Sequence, residues 1–246
     1  MTKVKEDWFK SWFNTHYYHI LYKHRDNAEA NTFIGNLVQK IQLKEGMYVA
    51  DICCGKGRHS IELSQYQLRV WGMDLSENSI EEARANGNFL TKFDVHDIRV
   101  PFPETNFNAI FNLFTSFGYF EDTQDDLLSL NNIANALMSN GNFIQDYIHA
   151  DYFTRNFPIS EIKTIDSVKF EIEKYVENGY IIKQIQVFDQ DHSETFYEKV
   201  KIYSLDELRH LHELSGFVVE NVWGDYGLSA FSAKESQRII LNSRKL

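Results

Sequence analysis

The stretch "VADICCGKGRHSIEL", Val49 to Leu63, decides the fold. It runs from apolar residues through two adjacent cysteines, Cys53 and Cys54, past Gly55 and Gly57 and into a segment with helical spacing. Strand, tight turn and helix in that order open a βαβ unit, and the glycines free the backbone where it turns or meets a ligand. In an open α/β sheet ligands sit beyond the carboxyl ends of the strands, where Asp51 to Gly57 stands.

Working outward, the same alternation repeats. "MYVADIC" (47–53), "LRVWGMD" (68–74), "NFLTKFDV", "FNAIFNLF" (107–114) and "NFIQDYI" (142–148) read as strands. Between them Arg58–Tyr66, Ser76–Ala85 and Thr123–Met138 read as helices, the second opened by a capping-box pattern at Ser76. The acidic run Glu121 to Asp126 is expected to solvate and cap the third. Parallel strands need crossover helices, so residues 45–150 predict a doubly wound, mainly parallel sheet with helices on both faces.

The pattern breaks downstream. Residues 164–203 read as three antiparallel strands joined by "ENG" and "QDHS", a meander that is a candidate lid. A helix over Ser204–Ser215, capped by Ser204 and Glu207 and stopped by Gly216, then leads to "FVVENVW" (217–223) and "RIILNS" (238–243) as closing strands. Upstream, 6–24 predicts helical turns with Trp8, Trp12, Tyr18 and Tyr22 on one face, and 26–43 a second amphipathic helix. The expected division is an N-terminal helical cap (1–44), a Rossmann-like domain of seven strands (45–150 and 204–246) and an inserted antiparallel β lid (151–203).

Composition narrows the function. The chain has 246 residues, 43% hydrophobic and 15% aromatic, with a formal charge of −10. That balance suits a folded globular protein and argues against a surface built to neutralise phosphates, so no nucleic-acid partner is expected. The longest uncharged apolar-rich run, Phe107 to Phe120, is shorter than the ~20 residues that span a bilayer, so no membrane partner is expected either. "MTKVKEDWFK" lacks the apolar core of a signal peptide, and neighbouring cysteines are poorly placed for a disulfide; both fit a cytoplasmic location.

Spacing separates the ligands that the Gly55 loop could take. A P-loop requires G-x-x-x-x-G-K-[ST], which is absent. The dinucleotide pattern G-x-G-x-x-G stays incomplete in either frame, although Gly55, Gly57 and Ser60 come near and leave NAD open. Cys53, Cys54 and His59 lack the spacing of a structural zinc site and no HExxH occurs, so no metal is expected.

The pattern D-x-C-x-G-x-G from Asp51 to Gly57 resembles the D/E-x-G-x-G-x-G motif of class I S-adenosylmethionine-dependent methyltransferases, with Cys53 at the first glycine. The resemblance continues through Asp74 at the end of the second strand, "DVHDIRVPF" with Asp97 and Ile98, "FNAIFNLFTSFGYF", and "LMSNGNFIQDY" before the fifth strand. It departs at Asn108, where the family often has Asp, and at "SNGN" in place of "KPGG". More narrowly, "CCGKGRHS", "DLSENSIEEAR" and "FTSFGYFED" look like a bacterial group of such enzymes acting on small molecules.

The resemblance implies S-adenosylmethionine as cofactor. It puts Asp51 near the amino group, Cys53, Gly55 and Gly57 in the loop, Asp74 on the ribose diol, and Asp97 and Ile98 at the adenine. Leu75 and Leu113 join them along the cofactor. Arg58 or Arg25 would pair with the cofactor carboxylate, and Tyr22 of the N-terminal cap would cover the methionine moiety. Tyr119, Asp146, Tyr147 and His149 stand near the fourth and fifth strand ends, but no pair singles out a catalytic base. The expectation is methyl transfer to a small-molecule N, O, S or C nucleophile by a monomer or homodimer, against a silent cofactor-binding protein or an NAD-dependent oxidoreductase.

Overall fold

A computed structural model describes residues 4, 8–23 and 27–246. The chain begins with α1 (Trp8–Trp12), α2 (His16–Leu21) and α3 (Asn27–Lys40). It continues through β1 (Tyr48–Ile52), α4 (Arg58–Gln65), β2 (Arg69–Asp74), α5 (Glu77–Asn86), β3 (Thr91–Val95), β4 (Phe107–Asn112), α6 (Thr123–Ala136) and β5 (Leu137–Ile148). Then follow α7 (Ala150–Asn156), β6 (Ser160–Ile165), β7 (Val168–Glu177), β8 (Tyr180–Asp189) and β9 (His192–Lys201). The chain closes with α8 (Leu205–Leu214), β10 (Phe217–Trp223) and β11 (Arg238–Lys245).

Seven strands form one sheet in the order β10-β11-β5-β4-β1-β2-β3. From β3 to β5 neighbours run parallel, while β11 is antiparallel to both β5 and β10. Strand order reverses between β1 and β4, which opens the ligand crevice at their carboxyl ends. The alternating side chains of the strands feed two cores. Val49, Val70, Ala109 and Phe111 meet Phe33, Leu37 and Leu63 of α3 and α4 on one face. Ala50, Ile52, Ile110 and Phe143 meet Leu130 and Ile133 of α6 and Leu208 and Leu211 of α8 on the other. Helices therefore cover both faces, as the alternation predicts.

The N-terminal turns do not form one helix. Thr15 ends the first segment and caps α2, its Oγ1 accepting from the Tyr18 N–H at 3.1 Å. Ser76 caps α5 by accepting from the Ser79 N–H at 3.2 Å, but serine at that third position makes only half of a capping box. At α8 the box is complete between Ser204 and Glu207. Strand β5 begins at Leu137, not Asn142, because its pairing with β4 jumps register between Phe107 and Ala109 and so takes in "SNGN".

The meander has four strands, in the order β6-β7-β8-β9. The expected strand from Thr164 breaks at Asp166 and Ser167, whose φ values of 48° and 70° make a tight left-handed turn into β7. Asn178 and Gly179, at 51° and 80°, make the next turn, the pairing that two-residue hairpins favour. Helix α7, which joins β5 to this sheet, lacks a clear apolar period in the sequence. Trp12 packs on Phe196 of β9 at 4.7 Å between ring centroids, so the N-terminal helices lie against the second sheet.

Candidate functional site

Between the carboxyl ends of β1, β2 and β4, the N-terminal helices and the second sheet lies a cavity of about 1190 Å³. A single small-molecule site occupies roughly 300–1,000 Å³, so the cavity has room for two ligands. The loop after β1 forms its floor. Cys53, Gly55 and Gly57 take φ values of 55°, 54° and 77°, so Cys53 holds a left-handed conformation where a glycine would be unstrained. The two glycines differ in their neighbours. A Cβ on Gly55 would have no other atom within 4 Å, and Gly55 faces the cavity. A Cβ on Gly57 would lie 2.7 Å from the Phe93 ring, so Gly57 serves packing of α4 against β3.

Asp74 ends β2 beneath this loop. Its Oδ2 accepts from the Gly55 N–H at 2.8 Å and its Oδ1 from the Ser76 N–H at 2.8 Å. An ionised carboxylate offers about four acceptor positions, so two such bonds leave capacity for a ligand diol on the cavity side. Burial pushes the Asp74 carboxyl up, opposed by the backbone N–H groups of Ser76, Gly55 and Leu75. Asp97, after β3, also lines the cavity and is gripped by Arg99, with Nη2 to Oδ2 at 2.7 Å. Burial would raise its carboxyl, but the Arg99 hydrogen bonds outweigh that and hold it below its ordinary range.

Leu75, Ile98, Leu113, Arg58 and Tyr22 line the same cavity, so most of the candidates converge. Asp51 lies behind the loop, 1% exposed, where its Oδ2 accepts from Ser60 Oγ at 2.5 Å. Burial pushes its carboxyl up to about 7. Asp51 and Gly57 thus border the floor without lining it, and Arg25 lies outside the described residues.

The groups near the β4 and β5 ends are already engaged. Asp146, 1% exposed, accepts from Arg238 Nε at 2.7 Å, from the Phe114 N–H at 2.9 Å and from the Tyr226 hydroxyl at 3.1 Å. Tyr147 donates to the Lys201 carbonyl, and His149 Nδ1 meets the Ser236 carbonyl at 2.7 Å. Neither of those two side chains lines the cavity, whereas Tyr119 does, its hydroxyl donating to the Thr115 carbonyl at 2.5 Å. Asp126, expected to be solvated, is buried and accepts from Tyr203 at 2.7 Å; burial pushes it up to about 6. Both cysteines are free thiols, raised by burial.

Sequence reading missed the far wall. Glu198 of β9 accepts from Trp12 Nε1 at 2.9 Å and from the Tyr22 hydroxyl at 2.6 Å, and stands 3.5 Å from Lys183 of β8. Strand pairing joins Lys183 and Glu198, and docking of the N-terminal helices adds Trp12 and Tyr22, so no local motif marks them. Among the described residues no cluster of three or more His, Cys, Asp or Glu is placed to hold a metal ion, and no helix is long and apolar enough to cross a membrane.

Residues 49–141, less than half of the chain, match the methyltransferase domain family. A 52-residue stretch is 40% identical to a demethylmenaquinone methyltransferase from Desulfitobacterium hafniense; it covers 20% of this chain and 21% of that relative, about a fifth of its length. Among solved structures, a S-adenosylmethionine-dependent methyltransferase from Clostridium acetobutylicum superposes with a TM-score of 0.77 at 18% identity, over 94% of this chain and 96% of that one. The CcbJ methyltransferase from Streptomyces caelestis gives 0.78 at 13% identity, over 96% and 98%. An amino pentose methyltransferase from Micromonospora echinaspora, solved with S-adenosylmethionine bound, gives 0.67 at 14% identity, over 91% and 93%.

The fold is the Rossmann-like fold of these methyltransferases. The family match and these neighbours are methyltransferases, one of them solved with S-adenosylmethionine bound.

Proposed function

We propose that this chain transfers the methyl group of S-adenosylmethionine to a nucleophile on a small-molecule acceptor bound between the parallel sheet and the second sheet. The observation that carries this reading is the pairing of Gly55 and Asp74: an open glycine on the cavity floor whose N–H is fixed on the acid ending the next strand. The residues fit the cofactor. Asp74 takes the ribose hydroxyls, Asp97 and Ile98 the adenine, and Cys53, Gly55, Leu75 and Leu113 the length between, with Asp51 and Gly57 shaping the loop. Arg58 or Arg25 meets the carboxylate, and Tyr22 closes over the methionine end. The narrower group marked by "CCGKGRHS" and "FTSFGYFED", a cytoplasmic location and a monomeric or homodimeric state belong to the same proposal.

When bound, the cofactor supplies an activated methyl on a sulfonium. The chain's own part is to bind, align and exclude water, and alignment alone is worth up to ~7–11 kcal/mol. The division into an N-terminal cap (1–44), a Rossmann-like domain (45–150 and 204–246) and an inserted lid (151–203) follows the same logic, since cap and lid residues wall the acceptor side. Screening small metabolites for release of S-adenosylhomocysteine tests the proposal. Turnover of one acceptor supports it. Tight cofactor binding without turnover of any acceptor supports a silent binding protein instead, and binding of NADH alone supports an oxidoreductase.

A further inference from the structure

The face of the second sheet turned toward the cavity carries one row in which two lysines oppose each other. Strand register stacks Lys163 with Phe170, Val187 and Glu194, then Glu161 with Ile172, Ile185 and Phe196, then Lys174 with Lys183 and Glu198, then Val176 with Ile181 and Val200. The two lysines stand directly opposite each other on β7 and β8, with side chains only 11% and 14% exposed. Like charges at directly opposed sheet positions destabilise, and half-buried ammonium groups lose hydration. An apolar row would serve a plain covering sheet better, so the charges point to a ligand.

The surrounding carboxylates do not reverse the sign. Glu161 of β6 stands 2.7 Å from Lys174 and 3.1 Å from Lys163, while Glu198 stands a long 3.5 Å from Lys183. Among the described residues this wall therefore carries three lysines against two glutamates, in a chain whose formal charge is −10. All five side chains line the cavity. Close by, Phe157 lies 5.4 Å from the Lys174 ammonium, while the Lys183 ammonium donates to the Tyr22 hydroxyl and stands 4.6 Å from its ring, so a flat ring flanks each cation.

We propose that Lys174 and Lys183 form an anion clamp that selects a methyl acceptor bearing a carboxylate or phosphate group on an apolar, ring-sized body. The clamp takes the anion between the two ammonium groups, and Glu161 and Glu198 hold the lysine side chains toward the cavity when no acceptor is bound. Glu198 in turn is fixed by Trp12 and Tyr22, which ties the N-terminal helices to the clamp. The word acceptor rests on the methyltransferase reading; the anion preference rests on the wall alone.

The test uses the full chain. S-adenosylhomocysteine is titrated first, and failure to bind it counts against the methyltransferase reading. The protein, saturated with S-adenosylhomocysteine where it binds, is then titrated with benzoate, phenyl phosphate, benzamide and benzylamine by calorimetry. The clamp predicts that benzoate or phenyl phosphate binds at least about tenfold more tightly than benzamide, and whichever binds better names the anion. Lys174→Gln with Lys183→Gln abolishes that preference, and the paired Lys→Arg variant keeps it. Equal binding of benzoate, phenyl phosphate and benzamide, tighter binding of benzylamine, or a glutamine variant that still prefers anions overturns the clamp. Should the glutamine variant not fold, the comparison of anions with benzamide on the unaltered chain decides.

Discussion

Replacing Asp74 by alanine separates its two tasks, holding the loop and holding a ligand. In the unaltered chain Oδ2 receives the Gly55 N–H and Oδ1 the Ser76 N–H, each at 2.8 Å. Gly55 lines the cavity, where water can take over when the carboxylate is removed, whereas Ser76 is buried and loses its acceptor, so the cost to folding is about 1–3 kcal/mol. A bound diol has no such substitute. Its bonds to the carboxylate are worth about 1.5–3 kcal/mol, and their loss weakens S-adenosylmethionine by roughly 10- to 150-fold. Calorimetric titration reads this loss. Asp74→Asn keeps the shape but turns an N–H donor toward a backbone N–H, and is expected to lose affinity as well. Cooperative unfolding in urea confirms that each variant is folded. An Asp74→Ala protein that folds and binds within about twofold of the unaltered chain removes Asp74 from the cofactor site and breaks the reasoning.

The two loop glycines should fail in different ways. Gly57→Ala drives a methyl into Phe93 and lowers the melting temperature, whereas Gly55→Ala meets open space and chiefly weakens cofactor binding, both sharing the strain of a positive φ. Asp51 titrates against folding: its folded value of about 7 lies above the unfolded one, so its contribution is complete below about pH 4 and is lost as pH rises through 7. Urea unfolding of Asp51→Asn is therefore expected to gain on the unaltered chain between pH 5 and pH 8, and no such change would place Asp51 in a wetter setting. Asp146→Ala strands the Arg238 guanidinium, whose side chain is 17% exposed, and should cost about 3–5 kcal/mol in urea unfolding.

What the sequence makes legible is what local spacing controls. Asp51, Gly55 and Gly57 lie on one strand and one turn, and Asp74 ends the strand that pairs next to it, so a pattern read along the chain finds the cavity floor. Cys53 is instructive, since a left-handed backbone persists at the position where the motif normally has glycine. The opposite wall depends on register. A one-residue error at the Asp166–Ser167 turn would send Lys174 to the other face of the sheet, and reading that turn as strand hides the row it shares with Lys183 and Glu198. Asp146 shows a third limit: its place at a strand end marks it as a candidate base, but Arg238 and Tyr226 come from the far end of the chain to engage it.

The most direct measurement is a calorimetric titration of the full chain with S-adenosylmethionine and, separately, with NADH. Saturable binding of S-adenosylmethionine that Asp74→Ala weakens, with none of NADH, is the predicted result. Absence of S-adenosylmethionine binding at millimolar concentration contradicts the account.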